Sequence, residues 1–118
     1  MRFMILIHSN ESAEAAWADG RSAELEQAHG AVIDELMRSG EFVDTNELDV
    51  ENVTVIGHHG GAPVVSRGPF TEGTEYVGGY YIVDVADQDR AVEIAGRFAE
   101  TRYSPVEVRR LVHASDPN

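Results

Sequence analysis

His29 carries the side chain best suited to acid/base work, because imidazole is the group whose ordinary pKa lies nearest neutrality. It falls in the run 21–38, where Leu25, Ala28, Val32 and Leu36 recur at helical spacing and Gly40 follows as a stop. At about 100° per residue, His29 lies about 40° from Leu25, on the stripe that also holds Val32 and Leu36. A histidine in that place touches the sheet and is partly buried. Desolvation lowers its pKa there unless a carboxylate restores it. Spacing alone reads it as a core histidine bonded to a backbone carbonyl, with general acid or base as the competing role.

The second segment with chemical content runs from Arg67 to Val85, RGPFTEGTEYVGGYYIVDV. Gly68-Pro69-Phe70 makes a turn, Glu72 and Glu75 follow, and Gly78-Gly79 leads into an apolar strand. Proline fixes φ and glycine permits close backbone approach, so the plain role of these residues is to shape turns. Paired glycines before a strand can also present N–H groups to an anion. Tyr80 and Tyr81 point to opposite faces of their strand. One packs under the helices and the other faces a partner sheet or a cavity, and the pattern does not say which. On so acidic a chain, Glu72 and Glu75 read first as solvated carboxylates.

The remaining histidines carry weaker signals. His58-His59 leads into Gly60-Gly61, the signature of a hairpin tip, and adjacent strand residues point apart. No His or carboxylate recurs at ligand spacing, so no metal site is expected. His8 ends the first apolar run and His113 lies near the end of the last, neither with a marked partner. Dinucleotide, phosphate-loop and nucleophile-elbow motifs are absent from the sequence, and no cofactor is expected.

These residues must be held by a small set of elements. Residues 2–8 read as a central strand, since Phe3, Ile5 and Ile7 alternate with Met4 and Leu6 and both faces are apolar. A polar segment to Gly20 follows, pinned to the body by Trp17, and then the His29 helix. A strand is expected over 41–48 and a hairpin over 53–58 and 62–66. A second two-sided strand covers 79–86. Asp87-Gln88-Asp89 opens the next helix, whose buried stripe is Ala91, Ile94, Ala95 and Phe98. Pro105 ends that region, and 106–113 reads as a last strand with Val106, Val108 and Val112 on one face. Arg109 lies on the opposite face beside Glu107.

The order β-α-β-hairpin-β-α-β is a split βαβ, so the predicted fold is an α+β, ferredoxin-like domain with an extra β-hairpin, spanning 1–118 as one domain. Two helices cover one face of such a sheet. The apolar residues on the other face call for a cover, and a second copy of the chain is the simplest one.

Composition narrows the partners. Acidic residues number 21 against 9 basic ones, a formal charge of −12 spread along the chain, which repels phosphate backbones and argues against nucleic acid. Cysteine is absent, which removes disulfides, thiolate chemistry and Cys-rich zinc sites. The apolar run MRFMILIH is too short to span a bilayer and lacks a small-residue cleavage site. No membrane partner is expected, and a cytoplasmic location is the default.

The spacing GPF-x-E-x-x-E-x-x-GGYY resembles the YCII-related family, whose hallmark is an Asp-Gly-Pro-Phe motif (DGPF-domain proteins). Arg67 stands here where the motif has Asp. The resemblance covers nearly the whole chain and implies the dimeric α+β barrel superfamily, hence a homodimer packed sheet to sheet. It also implies a site. Family members carry a histidine at the place of His29, proposed to pair with an acidic residue, which gives His29 the role of general acid or base. The implied reaction is a cofactor-free proton transfer, elimination or isomerisation on a small polar or aromatic substrate. With Arg67 in place of the motif Asp, the acid must come from Glu72, Glu75 or Asp44, while a cation beside His29 would favour an anionic group. Arg109 matches an arginine in the family's terminal Val-Glu-Val-Arg strand. It could clamp a substrate carboxylate or pair with a glutamate across a dimer. Arg67, Glu72, Tyr80, Tyr81 and Arg109 are thus the expected substrate-binding residues around His29. Because relatives occur beside extracytoplasmic-function sigma factors, the resemblance also allows a noncatalytic ligand-binding or regulatory module.

Overall fold

The computed structural model of this chain describes residues 1–68 and 76–113, apart from the Arg21 side chain. The strands are β1 (Arg2–Ser9), β2 (Phe42–Glu47), β3 (Val53–His59), β4 (Ala62–Gly68), β5 (Tyr76–Asp84) and β6 (Val106–Arg110). The helices are α1 (Glu11–Ala16), α2 (Ser22–Ser39) and α3 (Gln88–Ala95). A π turn over Trp17–Arg21 joins α1 to α2, and a 3-10 turn over Ala99–Arg102 follows α3.

Four strands form one antiparallel sheet in the order β2-β5-β1-β6. That is the split βαβ order expected from the sequence, with β1 and β5 central. Among the described residues the hairpin β3-β4 pairs only with itself, turning through Gly60 and Gly61 at φ 61° and 80°. Both glycines occupy the left-handed region that a side chain disfavours.

Strand alternation decides which side of each strand is buried. Phe3, Ile5 and Ile7 of β1 and Tyr81 and Val83 of β5 face the helices and are buried, joined by Val32 and Leu36 of α2 and by Ala91 and Ile94 of α3. Burying each large apolar side chain contributes about 1.5–3 kcal/mol. The alternate set, Met4, Leu6, Tyr80 and Ile82, lies on the open face and is half-buried. Among the described residues no helix is long and apolar enough to cross a membrane.

Local signals fix the ends. Asn10 caps α1 by accepting from Ala13 N at 2.7 Å, and Asp87 caps α3 by accepting from Arg90 N at 2.9 Å. Gly40 adopts φ 80° past the end of α2, and Glu41 N donates to Leu36 O at 2.9 Å, closing a Schellman turn. Two expectations shift. The last strand ends at Arg110, which leaves Val112 76% exposed in a turn and outside the face shared by Val106 and Val108. Helix α3 ends at Ala95, so Phe98 reaches the core from beyond the helix and not from its stripe.

Candidate active site

The stripe predicted for α2 presses onto the sheet and carries His29 with it. Because Phe98 is buried just after α3, the chain turns inward there, and the 3-10 turn brings Glu100 against α2. Two bonds fasten this turn: Ser104 Oγ donates to His8 O at 2.5 Å, and Ser104 N donates to Glu100 O at 3.0 Å. His29 is then held at both ring nitrogens. Nε2 lies 2.5 Å from Glu100 Oε2 and Nδ1 lies 2.7 Å from Tyr81 Oη. Its ring stacks on Phe98 with centroids 4.9 Å apart and lies nearly parallel to Tyr81 at 5.7 Å.

Donor and acceptor chemistry assigns the protons. An ionised carboxylate only accepts, so the hydrogen of the Glu100 contact belongs to His29 Nε2. With Nε2 protonated and Nδ1 bare, Nδ1 accepts from the Tyr81 hydroxyl. Burial pushes the Tyr81 phenol up to about 12, an effect that the Thr45 hydroxyl opposes and the Glu100 charge reinforces. Tyr81 therefore remains a donor across the working pH range. The His29 and Glu100 side chains are 22% and 10% exposed, so water screens their contact far less than it would a surface pair. Glu100 Oε1 is buried with no hydrogen-bond partner among the described residues. An orphaned buried oxygen costs about 1–3 kcal/mol.

The cluster lines a cleft of about 1000 Å³. One wall comes from α1, the π turn and α2, and the other from the end of β2 and the start of β5. Trp17, Leu25 and Ile33 supply apolar surface around His29, Thr45, Tyr81 and Glu100. Trp17 is fixed by the edge of Tyr103, with centroids 5.1 Å apart and planes at 78°. Gly79 lines the cleft where β5 pairs with β2. A Cβ there would lie 3.1 Å from Asn46 O, a tight contact that would make the β2 backbone give by a few tenths of an ångström.

The sequence-predicted residues separate into groups. His29 and Tyr81 meet in the cleft. Tyr80 borders it, but its hydroxyl is engaged on the open face, donating to Asp44 Oδ2 at 3.3 Å and accepting from Asn46 Nδ2 at 2.8 Å. Asp44 is thereby occupied with Tyr80. Arg67 sits exposed on β4 opposite Thr54, and the cleft does not include it. Arg109 pairs in register with Met4 on the open face of the sheet, opposite to His29. Glu72 and Glu75, with the Pro69-Phe70 part of the turn, lie outside the described residues. His8, expected to lack a partner, places Nε2 2.5 Å from Glu107 Oε1.

The carboxylate that the sequence did not reveal is Glu100. A helix continued through Phe98 would turn Glu100 about 200° away from it, toward solvent. Extended backbone at Phe98 (φ −75°, ψ 135°) and the tighter 3-10 turn after it break that period and rotate Glu100 inward. The sequence offered one hint, Pro105 closing a short segment too irregular for a helix.

The sequence profile of the YCII-related domain matches residues 1–115. The chain belongs to the YCII-related family. An uncharacterised protein of Rhizobium meliloti (strain 1021) is 26% identical to this YCII-related chain over 96 residues, which cover 80% of this chain and 77% of that one. Among solved structures, 5-chloro-2-hydroxyhydroquinone dehydrochlorinase from Burkholderia phenoliruptrix AC1100, in complex with 2,5-dihydroxybenzoquinone, superposes with a TM-score of 0.47 at 17% identity. That superposition covers 97% of this chain and 96% of the other.

Proposed function

We propose that this YCII-related protein is a cofactor-free acid/base enzyme that moves a proton on a small polar or aromatic substrate, with His29 as the base. The observation that carries this reading is the contact of His29 with a nine-tenths-buried carboxylate, Glu100, in an open cleft. Glu100 fixes the hydrogen on Nε2 and stabilises the imidazolium formed when Nδ1 takes a proton.

Nδ1 and the Tyr81 hydroxyl hold each other while the cleft has no substrate. A substrate with an acidic hydrogen next to a carbonyl replaces that one bond with two. Its C–H approaches Nδ1, and its oxygen accepts from Tyr81. As His29 removes the proton, charge develops on that oxygen and the Tyr81 hydroxyl stabilises it. Return of the proton at a second carbon completes an isomerisation, whereas departure of a leaving group completes an elimination. Arg67 supplies no carboxylate for this unit, and Glu100 makes one at that position unnecessary.

We further propose that two copies pack through the open sheet face, where Met4, Leu6, Tyr80 and Ile82 lie half-buried, with Arg109 pairing to a glutamate of the other copy. Sedimentation that reports a monomer at micromolar concentration contradicts this.

The enzyme reading is tested by solvent-deuterium incorporation into a panel of small cyclic ketones and phenols. The wild type incorporates label into at least one member, and His29→Gln slows this about 10²–10⁴-fold. Incorporation that survives His29→Gln unchanged excludes His29 as the base. Binding of the panel without exchange returns the noncatalytic ligand-binding module.

A further inference from the structure

Strand β2 serves the two tyrosines of β5 differently. Asn46 pairs in register with Tyr80 and Thr45 with Tyr81, so alternation sends Asp44 and Asn46 to the open face and Thr45 under α2. On the open face the Asp44 carboxylate takes the Tyr80 hydrogen at 3.3 Å. On the inner face Tyr81 meets a neutral hydroxyl, which can both accept and donate. Thr45 and Tyr81 line the cleft together beside His29.

In the resting site the Thr45 hydroxyl donates to Tyr80 O at 2.9 Å, while the Tyr81 hydrogen rests on His29 Nδ1 at 2.7 Å. Turning the Thr45 hydrogen about the Cβ–Oγ1 bond moves no heavy atom and redirects it from the Tyr80 carbonyl to Tyr81 Oη. That turn becomes favourable when Tyr81 Oη gains negative charge, because hydrogen bonds to charged oxygens are the stronger ones. The contact already tells on the phenol: burial raises its pKa, a side-chain hydrogen bond with Thr45 works against that rise, and the Glu100 charge adds to it. The titratable groups brought to bear on Tyr81 are His29 from α2 and Glu100 from the 3-10 turn. Neither type ordinarily titrates in the alkaline range where a phenol does.

We propose that Thr45 is a positioning residue of the acid/base site: its hydroxyl turns from the Tyr80 carbonyl to the Tyr81 oxygen and supports that oxygen while Tyr81 holds the developing charge of the substrate. In the reaction proposed above, the C–H electron pair stays with the substrate and delocalises onto its oxygen, while the proton goes to Nδ1. The Tyr81 hydrogen leans toward the substrate oxygen, and charge moves onto Tyr81 Oη. Thr45 then donates to that oxygen, forming a chain Thr45–Tyr81–substrate whose members strengthen one another. The catalytic part of this role rests on that reading of the cleft, whereas the Thr45–Tyr81 hydrogen bond does not.

Thr45→Val keeps the branched shape and removes the hydroxyl, and Thr45→Ser keeps the hydroxyl. With the four tyrosines replaced by 3-fluorotyrosine, each phenol gives a fluorine NMR signal and ionises at a lower pH than tyrosine does. The Tyr81 signal is the one missing from Tyr81→Phe. Thr45→Val should move its ionisation upward by about one pH unit, the size expected for a hydrogen bond to a charged oxygen, and Thr45→Ser should leave it in place. For any ketone or phenol that exchanges, Thr45→Val should lower kcat about three- to tenfold with KM within about twofold, and Thr45→Ser should recover most of the loss. An unmoved or downward ionisation in Thr45→Val overturns the proposal, whatever the activity. So does a loss that falls on KM alone or that Thr45→Ser shares in full. If no panel member exchanges label in the wild type, the catalytic role falls with the acid/base reading, and the ionisation shift decides the hydrogen bond separately.

Discussion

Two histidine–glutamate pairs in this protein have the same contact distance, 2.5 Å, and similarly buried histidines, but their carboxylates differ in exposure. His29 and Glu100 meet between α2 and the sheet, 71 residues apart in sequence. Their side chains are 22% and 10% exposed, and an aromatic ring and a phenol hold the imidazole. His8 and Glu107 meet across neighbouring strands, and Glu107 is 48% exposed. Water solvates the Glu107 carboxylate whether or not His8 is there. Glu100 has little water to return to. The contact distance therefore says little about function, and what surrounds the carboxylate decides it.

The comparison can be broken by activity first. Glu100→Gln keeps the shape but loses the charge that supports an imidazolium, and kcat/KM for proton exchange should fall about 10²-fold or more. Glu107→Gln should stay within twofold. Equal losses in the two variants would erase the distinction. Stability should move in the opposite direction. Replacing the buried unit by apolar residues, His29→Leu/Glu100→Leu/Tyr81→Phe, removes an orphaned oxygen and should raise stability by about 1–4 kcal/mol in urea denaturation.

Alkaline titration sharpens the picture of the buried side. Tyr81 is held protonated up to about 12, so its contribution to stability is complete below the ordinary tyrosine value and is lost as pH rises from about 10 to 12. The highest tyrosinate absorbance step should disappear in Tyr81→Phe.

A third contact sets an intermediate scale. The Arg90 hydrogen bonds hold the Glu41 carboxyl below its usual value of 4.5, with Ser39 assisting against the burial that raises it. Its contribution is present above pH 4.5 and is lost as pH falls through the lowered value. Arg90→Met should therefore destabilise at pH 7 and flatten the acid limb of the stability profile. The smallest effect belongs to the rim. Glu107→Gln should cost about 0.2–1 kcal/mol, less at high salt.

The sequence revealed one half of the site more readily than the other, for a physical reason. Regular elements repeat, so the period of Leu25, Val32 and Leu36 placed His29 against the sheet, and two-sided apolarity marked β1 and β5 as central. Alternation also limited Tyr80 and Tyr81 to opposite faces, without saying which tyrosine faced the helices. Glu100 belongs to a turn that has no period. It is fixed by where Phe98 finds room in the core, which is a property of the packed molecule. Arg67 was conspicuous because it departs from a family motif, yet it stands exposed on the β3-β4 hairpin opposite Thr54.

The most direct test of this account is the proton between His29 and Glu100. In a long-range proton–nitrogen NMR spectrum, His29 should show a slowly exchanging, far-downfield hydrogen on Nε2. That signal should vanish in Glu100→Gln and persist in Glu107→Gln. A His29 ring that exchanges like free imidazole in the wild type, or a signal indifferent to Glu100→Gln, would contradict the assignment of this pair as the acid/base unit.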